Sequence, residues 1–521
     1  MRTQMSFAVA IRDKRVRLAV VAVLSGLSCL PFLRSVFWFG DEGVLLQGAD
    51  RLLRGEKLYR DFFEILPPGG FLLTAGWFGL TSVSFFSARV LAAFNFIGIA
   101  CILYSVMFRV SRNTIASAVG VGVFVVTAQG EWMQVNHHWF TTLCCILALF
   151  GSLVWIDTHK LSWVIFAGLA GGAATMITPT RGALAVIAGL LALTDGGRFN
   201  ANALTLYVVA VAVFPMLLII FIASQGSLSA AFDNVVTFPA LRYDSLQGVP
   251  YGYGADAQNM PLKLIFPVAA FLAMVHFARD WRAAIRDRTL HVCAAFALAA
   301  FVGLLVRLDI NHIAFAAPLV LPLILYSGRR FLSVFPIRLA IISVVAFAMT
   351  KTTAMLLIKA YLVMQIPVIE TPRGGSRIVR EDARLIVARV ADLPVNDTVF
   401  YYPFDSLLGF LTARGYPSKL DVFVPSYTTP NQFEGECRAV IRSADWVVFD
   451  QAKMNSWQLT FPAMLDRVQP ERVLFESAIE RSFSLVANEG AFDLRKATMR
   501  DESICNDISG RRGEESPEAR P

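Results

Sequence analysis

The residue types that can move a proton or hold an anion fall in a few short clusters. The first is Asp41-Glu42, set directly after the apolar run 16–39. A carboxylate at the lip of a hydrocarbon slab is costly unless it has a partner or a task. It can take the proton of a hydroxyl, which is a poor nucleophile until that proton leaves. Asp41, nearest the end of the run, is the candidate base, with Glu42 beside it. A plainer role is compatible with this one: Asp41 as the N-cap of a helix that starts at Glu42. Asp61 and Glu64 follow in the same polar stretch, just ahead of Pro67-Pro68, and a solvated loop would carry the same residues. The prolines set the loop's exit, because proline fixes φ and keeps the residue before it extended.

Arg307, Asp309 and His312 form a second cluster. Asp309 and His312 are three apart and share a face if helical. A departing phosphate needs positive charge or hydrogen-bond donors, so Arg307 and His312 are candidate phosphate contacts; a structural ion pair is the alternative. Arg181 sits in Thr178-Pro179-Thr180-Arg181-Gly182, a break in an apolar stretch whose backbone groups need partners. It is either a third phosphate contact or a snorkelling interface residue. Glu131, Asn136, His137 and His138 make another polar patch, beside Trp132 and Trp139. Adjacent histidines point to different faces of a helix, so they are a poor two-ligand metal site, and an interfacial polar turn would read the same way. The aromatic, glycine-rich segment 223–260 suits a lid over a site, or an aromatic belt at the interface.

These clusters need a scaffold, and the composition says which kind. Of 521 residues, 56% are hydrophobic and 17% charged, with mean hydropathy +0.56; a soluble globular chain is about 25% charged. Runs long enough to cross a bilayer recur near 16–39, 85–108, 114–129, 138–156, 161–178, 181–194, 203–223, 261–278, 290–306, 312–326 and 338–362. The apolar segment 70–82 is short and is expected to lie flat or re-enter. The first run has no small-residue cleavage site and reads as an uncleaved anchor. The net charge of +8 points to membrane orientation and not to nucleic acid, because the basic residues sit in short loops and no aromatic-basic stripe accompanies them. Arg12, Lys14, Arg15 and Arg17, then Arg109 and Arg112, Arg198, Arg279, Arg282, Arg288, Arg329, Arg330 and Arg338 fall on one side if 70–82 does not cross. That side is then the cytoplasm. The segments 40–70, 131–139, 223–260 and 307–312 share the outer face, and so does the C-terminal region.

Beyond residue 367 the pattern changes. Alternation at 397–403, 420–425 and 445–450, with helical patterns near 407–414, 432–443 and 458–467, predicts a small α/β domain over 367–498. The polar tail 499–521 reads as disordered. The seven cysteines show no paired metal spacing. Cys29, Cys101, Cys144, Cys145 and Cys293 fall in apolar runs and read as packing residues. Cys437 and Cys505 lie in the polar region, where an outer compartment would permit them to pair or leave them as free thiols.

The stretch 40–70 reads GDEGVLLQGADRLLRGEKLYRDFFEILPPGG. Its acidic pair, its amphipathic run (Val44, Leu45, Ala49, Leu52, Leu53), the LYRDFFE segment and Pro-Pro after a first span resemble the first outer loop of the GT-C glycosyltransferases. The nearest branch is the bacterial relatives of protein mannosyltransferases and the lipid A aminoarabinose transferase. The motif resemblance covers roughly the first 140 residues, and the remainder matches in layout. Two positions depart from the pattern. Leu66 stands where that transferase carries a lysine, with Glu64 one residue further back, and Asn136 stands where relatives often carry Asp.

The resemblance implies an α-helical polytopic membrane protein of GT-C type with about 11–13 spans, a membrane domain over 1–366, and a small C-terminal α/β extracytoplasmic domain. It implies an enzyme of the bacterial inner membrane that moves a sugar from a polyprenyl-phosphate donor to an envelope lipid, glycan or protein, inverting the anomeric carbon. Asp41, with Glu42 and Glu64, would be the catalytic carboxylates. Arg307, His312 and Arg181 would hold the donor phosphate. Asp61, Asn136, His137 and Asp309 would contact the acceptor or support the others. No cofactor is assigned, and a divalent cation stays open. A transporter or flippase of lipid-linked sugars would share the many spans and intramembrane charges. A non-catalytic envelope assembly subunit is the third class.

Overall fold

The computed structural model describes residues 13–510 except 129–132, 196–197, 244–247, 306, 330, 332–334, 425–426 and 456–468. Among the described residues seven helices are long and apolar enough to cross a bilayer: Lys14–Phe32, Phe85–Ser111, His137–Thr158, Ala201–Ser224, Met260–Arg279, Ile310–Gly328 and Arg338–Gln365. Shorter apolar helices run over Gly69–Leu80, Thr114–Ala128, Leu161–Ile177, Pro179–Leu193 and Arg288–Val302. The chain is a multi-pass membrane protein. Every span expected from hydropathy overlaps one of these helices, and the helix left over is Gly69–Leu80. Its 12 residues rise about 18 Å, short of the ~30 Å hydrocarbon core. Its two ends are tied to the same end of the bundle. The Gly69 amide donates to the Met176 carbonyl beside the Thr178-Pro179 break, and the Phe85 amide, just past the helix, donates to Arg373 of the C-terminal region. It does not cross.

The first span is shorter than its apolar run suggests. Its regular α-helix ends at Cys29, and a 3₁₀ turn over Leu30–Phe32 carries Pro31. Ser35–Val36 then becomes a strand, parallel to Arg377–Ile378. Hydropathy does not distinguish a buried strand from the last turn of a span, because both bury apolar side chains.

Helix Asp41–Leu53 follows over the amphipathic run, and its residues from Glu42 to Arg51 are all buried. Two glycines permit this. A Cβ on Gly43 would lie 2.0 Å from the Leu407 amide nitrogen, and one on Gly48 would lie 2.5 Å from the Phe71 ring. The helix is therefore held between helix Gly69–Leu80 and helix Ser406–Thr412 of the C-terminal region. The Leu407 amide also donates to the Phe39 carbonyl, and Arg373 meets Asp50 at 2.6 Å. One apolar core joins Leu45, Leu46 and Phe71 to Ile378, Leu407, Phe410 and Leu494. Burying each such side chain contributes about 1.5–3 kcal/mol.

The C-terminal region carries a four-stranded sheet in the order Val399–Tyr402, Trp446–Asp450, Phe492–Ala497, Phe483–Glu489; the first pair is parallel and the others are antiparallel. Helices Glu381–Ala391, Ser406–Thr412, Pro430–Ser443 and Pro470–Ser482 accompany it. The alternation at 420–425 does not make a strand. Residues 420–424 are irregular, with the Phe423 amide bonded to the Pro403 carbonyl. The helix expected at 458–467 lies outside the described residues. The tail is ordered further than expected: Glu502–Cys505 forms a helical turn, and Cys505 is disulfide-bonded to Cys437. Residues 511–521 lie outside the described residues.

Candidate active site

The acidic pair divides at once. Glu42 is 1% exposed; its Oε2 lies 2.8 Å from Nη2 of Arg89, and its Oε1 accepts from the Val135 amide at 2.9 Å. Arg89 further donates to the carbonyls of Ser35 and Met133. Burial pushes the Glu42 carboxyl up, while Arg89 and the Val135 bond pull it down. Glu42 thus staples helix Asp41–Leu53 to the start of helix Phe85–Ser111 and to the segment before helix His137–Thr158.

Asp41 stands at the first helical position, with Gly40 as the cap and no side-chain capping bond. The expected capping role therefore falls away. Among the described residues Asp41 makes no hydrogen bond or ion pair. It keeps exposed surface, yet the protein crowding round it pushes its carboxyl up. The two facts together make it an accessible carboxyl in crowded polar surroundings. Arg307, His312 and Lys453 pull its pKa down and Asp309 adds to the rise, so all four lie within electrostatic reach.

Arg307, Asp309 and His312 come together as the spacing predicts. Asp309 caps helix Ile310–Gly328, accepting from the amides of Asn311 and His312 at 3.1 Å. Its other contacts are Arg307 Nε at 2.5 Å and His312 Nδ1 at 2.7 Å. Burial raises its pKa, but the bond from His312 and the charges of His312 and Arg307 outweigh this and hold it well below the usual carboxylate range. An ionised carboxylate only accepts, so Nδ1 of His312 carries the proton. Asp309 fixes both the tautomer and the Arg307 guanidinium.

Arg181 is buried, which excludes snorkelling. Its Nη2 donates to Thr142 Oγ1 at 3.1 Å and to the Phe315 carbonyl at 3.2 Å, and Nη1 lies 3.3 Å from His138 Nδ1. It joins three helices, and the His138 ring, 4.7 Å from the His312 ring, links it to the cluster. The His137 ring lies 4.0 Å from the His138 ring, tilted by 38°, and its Nδ1 has no partner among the described residues.

Other expected residues land elsewhere. Asp61 bonds Arg60 at 2.8 Å and the Lys57 amide, and the Arg60 bond first among these holds it down to about 2. It closes a surface turn because its neighbours in sequence are its partners. Asn136 is the N-cap of helix His137–Thr158, accepting from the His138 amide at 2.8 Å. Glu64 is buried near Asp41. Glu131 lies outside the described residues. Within 223–260, residues 228–242 are helical. Phe238 meets Phe63 at 5.0 Å and Tyr427 at 4.9 Å between ring centres, and Tyr243 feels Arg307, Asp41 and Asp309.

Two groups escaped the sequence reading. Lys453 bonds Asp405 at 2.8 Å and the Phe404 carbonyl, and it comes from the far end of the chain with no local motif. Arg89 had a signal: it is a lone arginine inside an apolar run, which calls for a buried partner. Among the described residues no three His, Cys, Asp or Glu side chains converge to hold a metal ion.

No protein-family model matches the sequence, and no curated protein matches it. Solved structures do. ArnT from Cupriavidus metallidurans bound to undecaprenyl phosphate superimposes with a TM-score of 0.56 at 13% identity, covering 94% of this chain and 98% of that one. Its apo state gives 0.56 at 12% identity, covering 96% and 99%. This chain has the GT-C fold. The arabinosyltransferase EmbB from Mycobacterium smegmatis is also similar, at 13% identity and a TM-score of 0.39, over 60% of this chain and 30% of that one. The GT-C likeness to ArnT runs from the first span through the C-terminal sheet, well beyond the first-loop motif.

Proposed function

We propose that this chain is an integral membrane glycosyltransferase that moves a sugar from a polyprenyl-phosphate donor to a hydroxyl on an envelope lipid, glycan or protein. The observation that carries this reading is the contrast within the acidic pair: Glu42 is paired and buried, while Asp41 keeps exposed surface and has no bonded partner among the described residues, within electrostatic reach of Arg307, His312 and Lys453. The undecaprenyl phosphate bound to the similar ArnT structure supports a donor of the same class.

In the reaction an acceptor oxygen attacks the anomeric carbon from the face opposite the phosphate. Asp41 takes its proton. A carboxyl raised by burial is a better base near neutral pH than an ordinary one. The bond from the anomeric carbon to the phosphate oxygen breaks, and the electron pair leaves with the polyprenyl phosphate. Arg307 and His312 stabilise that charge, and Asp309 holds them before it develops. Arg181 orients His138 behind them. The site faces the outside of a bacterial inner membrane if the basic loops mark the cytoplasm. The test is purified protein in liposomes, given radiolabelled polyprenyl-phosphate sugars and envelope extract. Label on an acceptor supports the enzyme. Label that changes leaflet without transfer overturns it in favour of a transporter.

A further inference from the structure

Span Arg338–Gln365 is, with Ala201–Ser224, the least buried of the seven. One stripe of it, Thr352, Leu356, Ala360 and Val363, is buried, and its neighbours are helix Thr114–Ala128 and the turn Leu30–Phe32. On the opposite flank Val344, Phe347, Lys351, Ala354, Ile358 and Tyr361 are all exposed. They recur at alternating steps of three and four, the spacing of a helix–helix seam. Lys351 makes no hydrogen bond or ion pair among the described residues. Arg89 and Arg181, in two other apolar helices, are by contrast buried and bonded.

The depth of Lys351 makes its isolation costly. Further along the helix, Lys359 lies 2.7 Å from Asp256, just ahead of span Met260–Arg279, and so marks one edge of the bilayer. Arg338 marks the other. The helix rises about 32 Å between the two, the thickness of the ~30 Å hydrocarbon core. Lys351 is then about 12 Å inside the Lys359 edge and about 20 Å inside the Arg338 edge. A lysine side chain reaches about 6 Å. The Cα–Cβ bonds of a helix tilt toward its N-terminus, which here is the farther edge. Snorkelling therefore does not bring the ammonium to water. Lipid tails cover the apolar members of the seam as well as protein would, but they offer an ammonium nothing.

A carboxylate at the same depth satisfies Lys351, whereas lipid phosphates lie at the edges. A second copy of this chain cannot supply it. Among the described apolar helices the one acidic residue is Asp157, near the end of its helix and already paired with Arg109. We propose that the flank 344–361 docks a transmembrane helix of a different protein, one that carries an Asp or Glu near its middle, opposite Lys351. Ala354, one turn along the seam, lets the two backbones approach. The inference concerns assembly and stands apart from the transferase reading.

The test places the full chain in vesicles with labelled leucine–alanine transmembrane peptides of about 24 residues that carry Asp or Leu at the centre, and reads association by energy transfer. The Asp peptide should associate at least about tenfold more tightly than the Leu peptide. Lys351→Leu should abolish that difference and leave the melting temperature no lower. Lys351→Glu should move the preference to a peptide with a central Lys. A photo-crosslinking side chain placed at position 347 or 358 in native membranes then identifies the partner, whose crosslinked span should hold a carboxyl on which the crosslink depends. The proposal is overturned if the Asp and Leu peptides associate alike, if Lys351→Leu keeps the difference, or if the crosslinks reach only lipid or spans without a carboxyl.

Discussion

Arg89 Nη2 lies 2.8 Å from Glu42 Oε2, and both side chains are buried, at 3% and 1% exposure. Asp41, next to Glu42 in sequence, instead keeps exposed surface and has no bonded partner among the described residues. One short motif therefore supplies a structural carboxylate and, in the proposed reaction, a chemical one. Removing a single partner of a buried pair leaves an uncompensated charge, at a cost of about 3–5 kcal/mol. Arg89→Leu should lower the melting temperature in detergent accordingly. The double variant Glu42→Gln with Arg89→Met should recover part of the loss, because it removes both charges. An unchanged melting temperature in Arg89→Leu would contradict the structural role.

Asp309 holds Arg307 and His312 and touches no reacting atom in the proposed reaction. Asp309→Asn keeps a cap for helix Ile310–Gly328 but gives up the charge-assisted bonds. Donor affinity should fall about tenfold, the equivalent of ~1.4 kcal/mol, with the acceptor dependence of the rate little changed. Titrations of the donor and the acceptor, run separately, separate this positioning role from a general loss of fold.

Glu436 gives the C-terminal region a pH dependence with a defined sign. It is 5% exposed and accepts from Ser418 Oγ at 2.6 Å. Burial raises its pKa from 4.5 to about 7, against the pull of the Ser418 and Lys419 bonds. A carboxyl raised in the folded state contributes stability that is fully present below about 4.5 and is lost as pH rises through about 7. Thermal unfolding between pH 5 and 8 should therefore show stability falling with pH, and Glu436→Gln should flatten that slope. Asp421 and Asp405, both raised to about 6 by burial, act in the same direction at slightly lower pH.

Cys437 and Cys505 are joined across 68 residues. Under denaturing conditions neither should react with a thiol reagent until a reductant is added, whereas Cys29, Cys101, Cys144, Cys145 and Cys293 are free and should react. Cys437→Ala should destabilise the region by about 2–5 kcal/mol. Two reactive thiols from this pair in freshly isolated protein would contradict the bond.

The spans were legible because about 20 apolar residues in a row have few other fates. Asp309 and His312 were legible because a spacing of three on a helix puts both side chains on one face. What escaped depends on distance along the chain. Gln47 and Asp421 are 374 residues apart, and nothing local in either segment announces the other. Lys453 reaches the site only because the C-terminal region packs on Gly40 and Gly43. The strand at Ser35–Val36 was hidden inside an apolar run. The alternation at 420–425 was genuine in pattern but found no neighbouring strand. The GT-C likeness was visible in the first loop, while the burial of its helix on every side was not: it follows from two glycines whose partners lie elsewhere in the chain.

The central claim is that Asp41 accepts the acceptor's proton. The most direct measurement is the transfer rate of Asp41→Asn in liposomes with a saturating polyprenyl-phosphate sugar. The substitution keeps size and polarity and removes the accepting charge, and no capping bond is lost because Gly40 holds that position. The rate should fall on the order of 10²–10⁴-fold, with insertion, melting temperature and undecaprenyl phosphate binding preserved. Transfer at the wild-type rate would contradict the account.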